Sequence, residues 1–132
     1  MRSQLWKVGV LFVLLSSLSN NGFSAERKAP SDIGKRQSGI ASIYDRSSGK
    51  DTASGETLNE SALTAAHRTL PLNTIVEVTN SRTGQKTLVR INDRGPFVDG
   101  RIIDLTPAAA RALGVDGLAS VSLEVVSLRD KR

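Results

Sequence analysis

The sequence predicts a small, mainly β domain whose strands close into a barrel. Between residues 39 and 127, five short runs show the apolar–polar alternation or the β-branched content that is typical of strands. Glycine, proline and asparagine separate these runs. Because a barrel leaves no strand edge unpaired, several short strands in so short a segment favour closure over an open sheet.

The strand predictions follow the chain in order. Residues 40–45 alternate, and so do residues 119–126, where Val121, Leu123 and Val125 share one face. Two further runs are joined by the turn at 81–84, which predicts a hairpin. The predicted strands are residues 40–45, 74–80, 86–92, 101–105 and 119–126.

Two short helices are predicted between the strands. Residues 106–114 begin with Thr106 as N-cap and Pro107 in the first turn, and they end at Gly114. Residues 59–66 show a weaker pattern, in which Asn59 would be the cap of an alanine-containing helix.

The length of 132 residues fits one folded domain, and the composition excludes several kinds of chemistry. Zero cysteines exclude disulfides, thiolate nucleophiles and cysteine-ligated metals, and a single histidine excludes a multi-histidine metal site. No phosphate-binding glycine motif is present. We therefore expect neither a metal nor an organic cofactor.

The N-terminus resembles an export signal. Arg2 and Lys7 precede the apolar run 8–18, which is shorter than the ~20 residues that a membrane-spanning helix needs, and small residues follow near Ala25. We expect a signal peptide at 1–25, a linker at 26–38, the folded domain at 39–127 and a short tail at 128–132. The protein is then exported to the periplasm or cell envelope, without nucleic acid as a partner and without a lipid anchor.

Four residues are candidates for chemistry because of where they stand. Asp93 ends a predicted strand at a Gly-Pro turn, and Asp104 lies among isoleucines, where a partly desolvated carboxylate can act as a general acid. Glu56 follows Gly55, and His67 is the only imidazole. Structural roles are the alternative: an Asx-turn for Asp93, a helix cap for Asp104, a surface charge for Glu56 and a buried structural histidine for His67.

The order of five motifs resembles the rare lipoprotein A (RlpA) family of the bacterial envelope. The motifs are Gly-Ile-Ala-Ser-Ile-Tyr at 39–44, Thr-Ala-Ser-Gly-Glu at 52–56, Ala-Leu-Thr-Ala-Ala-His-Arg-Thr-Leu-Pro at 62–71, Val-Arg-Ile-Asn-Asp-Arg-Gly-Pro-Phe at 89–97 and Gly-Arg-Ile-Ile-Asp-Leu-Thr at 100–106. The resemblance covers residues 39–127. It implies a six-stranded double-psi β-barrel and the activity of an endolytic peptidoglycan lytic transglycosylase.

Such an enzyme cuts the MurNAc–GlcNAc bond of glycan strands stripped of stem peptides and leaves 1,6-anhydro-MurNAc ends. The resemblance implies functional roles for Glu56, His67 and Asp93, and related barrels have an acid at the position of Asp104. Either aspartate could be the acid. We expect Tyr44 and Arg94 to contact the glycan, although Arg94 could instead hold Asp93 or form a surface ion pair.

Two further expectations follow. The protein would act as a monomer on peptidoglycan glycan strands. The alternative function is a non-catalytic, expansin-like module that binds or loosens the wall, because a barrel fold alone does not separate an enzyme from a binding module.

Overall fold

The computed structural model describes residues 32–44, 47, 49 and 51–128. The expected signal peptide at 1–25 and residues 26–31 of the expected linker lie outside the described residues, as do the last four residues of the tail. Among the described residues, no helix has the length and apolar character needed to cross a membrane.

Six strands and one helix form the described part of the chain. They are β1 (Arg36–Ile43), β2 (Thr64–Ala66), β3 (Ile75–Asn80), β4 (Lys86–Asp93), β5 (Arg101–Leu105), α1 (Pro107–Leu113) and β6 (Ala119–Ser127). The strands close into a barrel in the order β1-β5-β2-β4-β3-β6. The predicted mainly β, six-stranded double-psi β-barrel is therefore confirmed.

Aliphatic side chains fill the interior of the barrel. In β3, Val76 and Val78 are fully buried, while Ile75, Glu77 and Thr79 on the other face are half-buried, as strand alternation requires. In β6, the predicted inward face is confirmed, because Val121, Leu123 and Val125 are all buried. The barrel is thus closed around small and branched side chains that pack tightly between neighbouring strands.

Helix α1 forms where its caps predict it. The Thr106 hydroxyl accepts a hydrogen bond from the Ala109 amide at 3.3 Å and donates one to the Ala62 carbonyl at 2.7 Å. Gly114 ends the helix with a φ of 69°, a left-handed conformation that glycine adopts without steric cost. Leu113 is fully buried, so the helix covers one part of the barrel.

The predicted helix at 59–66 is wrong. Residues 60 and 61 form a turn, in which the Asn59 side chain accepts the Ser61 amide at 2.9 Å, and Thr64–Ala66 are strand β2. All three residues of β2 are buried, with β4 on one side and β5 on the other. Small side chains fit this crowded place, and two sets of strand hydrogen bonds outweigh the helix propensity of alanine.

Strand β1 begins at Arg36, so it extends three residues into the segment that the sequence analysis assigns to the linker. Arg36, Gln37 and Ser38 pair with residues 122–124 of β6 in antiparallel register. These three residues have no apolar pattern because they are exposed. Backbone hydrogen bonding to β6 therefore extends the strand beyond its apolar part.

Two parallel strand pairs determine where the functional side chains meet. Strand β1 runs parallel to β5, and β2 runs parallel to β4, whereas β2 and β5 are antiparallel. As a result, the C-terminal ends of β2 and β4 lie side by side, and β2 separates β4 from β5.

Candidate active site

Two of the predicted acids lie in one row across four adjacent strands. Ser42 is in register with Asp104, Asp104 with Ala66, and Ala66 with Asp93. Residues in register have their side chains on the same face of a sheet. The small side chain of Ala66 thus separates two carboxylates whose Cα atoms are two strand spacings, or about 10 Å, apart.

Asp104 is half-buried and has a hydroxyl partner. The Ser42 Oγ lies in hydrogen-bonding contact with Asp104 Oδ1. A hydroxyl can donate to a carboxylate or accept from a carboxylic acid. Asp104 can therefore keep this hydrogen bond whether or not it carries a proton.

Asp93 is held differently, by backbone amides. Its Oδ1 accepts hydrogen bonds from the amides of Ala53, at 2.9 Å, and Arg94, at 2.8 Å. The second of these is a local hydrogen bond from the amide of the next residue, whereas an Asx-turn uses the amide two residues on. Since an amide can only donate, Oδ1 must remain an acceptor, and the Asp93 carboxylate is fixed in place by two donors.

Tyr44 lies close enough to Asp93 and Asp104 for both carboxylates to act electrostatically on its phenol. Burial raises the pKa of the Tyr44 phenol, and the carboxylates of Asp93 and then Asp104 raise it further. The hydroxyl oxygen is buried and has no hydrogen-bond partner in the described part of the chain. The phenol is thus neutral and retains an unused proton next to two carboxylates.

Glu56 occupies a neighbouring cleft of about 260 Å³, away from the row. Its Oε1 accepts a hydrogen bond from Asn92 Nδ2 at 2.9 Å, and Arg90 Nη2 lies 3.1 Å from both carboxylate oxygens. The hydrogen bonds from Asn92 and Arg90 lower the pKa of Glu56. The carboxylate is therefore ionised near neutral pH and unsuited to donating a proton.

His67 is buried, and both of its ring nitrogens have partners within the chain. Nδ1 accepts hydrogen bonds from the amides of Thr69, at 3.1 Å, and Leu70, at 3.2 Å, while Nε2 lies 2.9 Å from Gln37 Oε1. The proton must then reside on Nε2, which donates to Gln37. Burial lowers the pKa of His67, and the nearby charges of Arg94 and Arg68 lower it further, so the ring is neutral.

Arg94 stabilises the segment that follows His67. Its Nη1 donates to the carbonyls of His67, at 3.1 Å, and Leu70, at 2.8 Å. Among the described residues, the Arg94 guanidinium forms no ion pair with Asp93. The backbone amide of Arg94 binds the Asp93 carboxylate instead. The His67 amide in turn donates to the Asp93 carbonyl at 3.1 Å, so His67 and Arg94 together support the end of β4.

The structure therefore brings Asp93, Asp104 and Tyr44 together, places His67 and Arg94 behind them, and keeps Glu56 in the adjoining cleft. Sequence reasoning missed Ser42 and the Ala53 amide. Ser42 could have been found, because it lies two residues before Tyr44 in a predicted strand and so shares its face. The described residues contain no group of three or more side chains arranged to hold a metal ion.

Comparison with known proteins finds relatives that match along the barrel. Residues 36–124 match the family described as lytic transglycolase. Over 101 residues the chain is 54% identical to the probable endolytic peptidoglycan transglycosylase RlpA of Synechocystis, covering 74% of this chain and 32% of that protein. Over 98 residues it is 54% identical to the endolytic peptidoglycan transglycosylase RlpA of Pasteurella multocida, covering 72% and 33%. The chain thus spans about a third of the length of these relatives.

The barrel also resembles a solved structure of low sequence identity. The apo expansin of Clavibacter michiganensis superposes with a TM-score of 0.55 and 21% identity, covering 73% of this chain and 52% of that one. Likeness at this level concerns the fold alone.

Proposed function

The chain belongs to the lytic transglycolase family, and we propose that it is an endolytic peptidoglycan lytic transglycosylase. Its substrate would be glycan strands stripped of stem peptides, cut between MurNAc and GlcNAc to leave 1,6-anhydro-MurNAc ends. The observation that carries the proposal is the row of Ser42, Asp104, Ala66 and Asp93, which holds two carboxylates on one face.

We assign the acid and base steps to Asp104. A lytic transglycosylase needs a group that first donates a proton and then accepts one, and the Ser42 hydroxyl can hydrogen-bond to both forms of Asp104. Asp93 Oδ1, in contrast, accepts from two amides, which can only donate, so this oxygen has no proton to give.

The reaction proceeds without water. Asp104 donates its proton to the glycosidic oxygen, and the bond from that oxygen to C1 of MurNAc breaks. The 6-hydroxyl of the same MurNAc forms a bond to C1, and its proton returns to Asp104. The Asp93 carboxylate would stabilise the positive charge that develops at C1, as fixed groups aimed at a transition-state charge do.

The remaining residues support this arrangement. The Tyr44 hydroxyl, which has an unused proton, would donate to a carboxylate or a sugar oxygen at the site. His67 and Arg94 would position Asp93 through the segment 67–70. Glu56, held ionised by Asn92 and Arg90, would shape the adjoining cleft or bind sugar hydroxyls. Such a protein would work as an exported monomer in the periplasm or cell envelope.

Product analysis tests the proposal. Purified protein is incubated with peptide-stripped peptidoglycan, and the released fragments are analysed by mass spectrometry. We expect anhydro-MurNAc ends. Asp104→Asn should lower the rate by ~10²–10⁴-fold, the usual contribution of a general acid, without changing the circular dichroism spectrum. Ser38→Ala, at an exposed position in β1, the strand that pairs with β5, is the control and should be fully active.

The other outcomes contradict parts of the proposal. Reducing ends would identify a hydrolase. Binding to the strands without any release would favour the expansin-like alternative. An unchanged rate of anhydro-MurNAc formation in Asp104→Asn would mean that another group is the acid.

A further inference from the structure

The aromatic residues of this chain are distributed unusually. The sequence contains five, and Trp6, Phe12 and Phe23 precede the folded domain, leaving only Tyr44 and Phe97 within it. Aromatic side chains usually dominate protein cores because they bury large apolar areas. Here the core cluster of the described residues is entirely aliphatic. The two aromatic rings of the domain therefore contribute nothing to that cluster.

Phe97 is 78% exposed, the largest exposure of any large apolar side chain in the described residues. Fully burying such a ring would contribute about 1.5–3 kcal/mol, so the fold gains little from a phenylalanine at this position. The exposure indicates that the ring has a use outside the fold.

The loop that carries Phe97 is firmly held. Gly95 and Pro96, directly before it, are buried. The preceding Arg94 is anchored by its guanidinium to the carbonyls of His67 and Leu70. Phe97 is thus an exposed ring on a fixed support, an arrangement that reduces the conformational entropy lost when a ligand binds.

The ring also lies beside the proposed acid. A Cβ atom placed on Gly95 would be 3.6 Å from Phe97 Cε2 and 3.8 Å from Asp104 Oδ2. The edge of the ring and the carboxylate are therefore no further apart than these two distances together. That separation is shorter than one disaccharide unit of a glycan strand.

We propose that Phe97 is a specificity-determining residue that stacks on the sugar next to the bond that is cleaved. This inference rests on the proposed function. The sugars of peptidoglycan are β-linked pyranoses, whose faces present C–H groups, and these pack against the electron-rich face of an aromatic ring. Stacking at Phe97 would orient the strand so that its glycosidic oxygen lies at Asp104. The C–H face, rather than a charge, would be the feature recognised.

A tryptophan at position 97 tests the contact directly. The chain has a single tryptophan, so Trp6→Phe with Phe97→Trp moves the only indole to position 97, the proposed sugar-stacking platform. Leu88 is 49% exposed on β4, the strand that precedes the loop of Phe97, and it provides the control as Trp6→Phe with Leu88→Trp. Adding soluble peptide-stripped glycan strands should shift the fluorescence emission of the first variant to shorter wavelength and leave that of the second unchanged.

Binding and kinetics give the second measurement. Phe97→Ala should weaken co-sedimentation with peptide-stripped peptidoglycan and raise KM about tenfold, the factor that corresponds to losing a buried ring, with kcat changed by less than about twofold. Phe97→Trp should restore both values, and Leu88→Ala should behave like the starting protein. A residue that only supported the fold would instead change the unfolding transition.

The two proposals can fail separately. If the starting protein releases anhydro-MurNAc ends but Phe97→Ala binds and turns over like Leu88→Ala, the platform is refuted and the enzyme remains. If the starting protein binds strands without cutting them, the proposed function fails, and the fluorescence titration still decides the platform. Equal responses from the indoles at 97 and 88 would also refute it.

Discussion

Lowering the pH should destabilise the fold through His67. The folded protein holds this imidazole neutral, because burial and the charges of Arg94 and Arg68 lower its pKa below the usual 6.5. The unfolded chain, with an ordinary imidazole, takes up a proton first as the pH falls. Stability rises with pH wherever the unfolded state binds more protons, so this contribution is fully present above pH 6.5 and declines below it.

The magnitude follows from a single proton. Between pH 7.5 and 5.5 the linkage can remove at most about 1.4 kcal/mol from the free energy of unfolding, which is the value reached if the folded imidazole stays neutral throughout. With a denaturant dependence of roughly 1 kcal/mol per molar urea for a domain of this size, the urea midpoint should fall by up to about 1.4 M. The shift arises below pH 6.5, where the unfolded imidazole becomes charged.

Urea titrations followed by circular dichroism at pH 7.5, 6.5 and 5.5 measure this shift. The chain has no other histidine, and Glu56, with its pKa lowered from 4.5, stays ionised over this range. His67→Asn is the matched variant, since the asparagine carbonyl can accept the amides of Thr69 and Leu70 but does not titrate. Its midpoint should vary less with pH. A flat profile in the starting protein, or an equal slope in His67→Asn, would refute the neutral, buried histidine.

The remaining predictions concern the partners of the two carboxylates. Ser42→Ala removes the hydroxyl that contacts Asp104. Since hydrogen bonds to charged groups contribute about 1.5–3 kcal/mol, kcat on peptide-stripped strands should fall roughly tenfold or more. An unchanged kcat would show that Asp104 needs no such partner. Glu56→Gln removes the partly exposed ion pair with Arg90 and should lower the free energy of unfolding at pH 7 by at most about 1 kcal/mol in urea titrations. Because the folded state lowers the pKa of Glu56, the stabilisation by the Glu56 carboxylate is present above pH 4.5 and is lost as the pH falls through the folded pKa. The free energies of unfolding of the starting protein and of Glu56→Gln should therefore become equal in acid. A difference that persists there would show that lost packing, not lost charge, destabilises the variant.

Local sequence patterns predicted an element correctly where the residues within that element were enough to specify its structure. The alternation at 119–126 predicted β6 and its buried face, and Thr106, Pro107 and Gly114 predicted both ends of α1. The same reasoning failed at 59–66. There the alanines favour a helix, but pairing with β4 and β5 makes Thr64–Ala66 a strand. A segment of eight residues carries no information about partner strands that are distant in sequence.

The resemblance to a family pointed to Asp93, Asp104, Glu56 and His67, but it gave no information on how each is held. The structure separates them by their partners. Asp93 is bound by backbone amides, Glu56 by Asn92 and Arg90, and His67 by Gln37 and the amides after it. A histidine that resembles a catalytic residue in sequence is, in its contacts, a support for the strand that carries Asp93.

The sequence by itself determined five of the six strands and the caps of α1, because these depend on the conformational preferences of neighbouring residues. Only the tertiary structure decided which carboxylates meet. Ser42 and Asp104 are 62 residues apart, and Ala53 and Asp93 are 40 apart. Ser42 meets Asp104 because β1 pairs with β5, and Asp93 lies near Asp104 because β2 pairs with both β4 and β5. Strand register in turn depends on how the whole barrel closes.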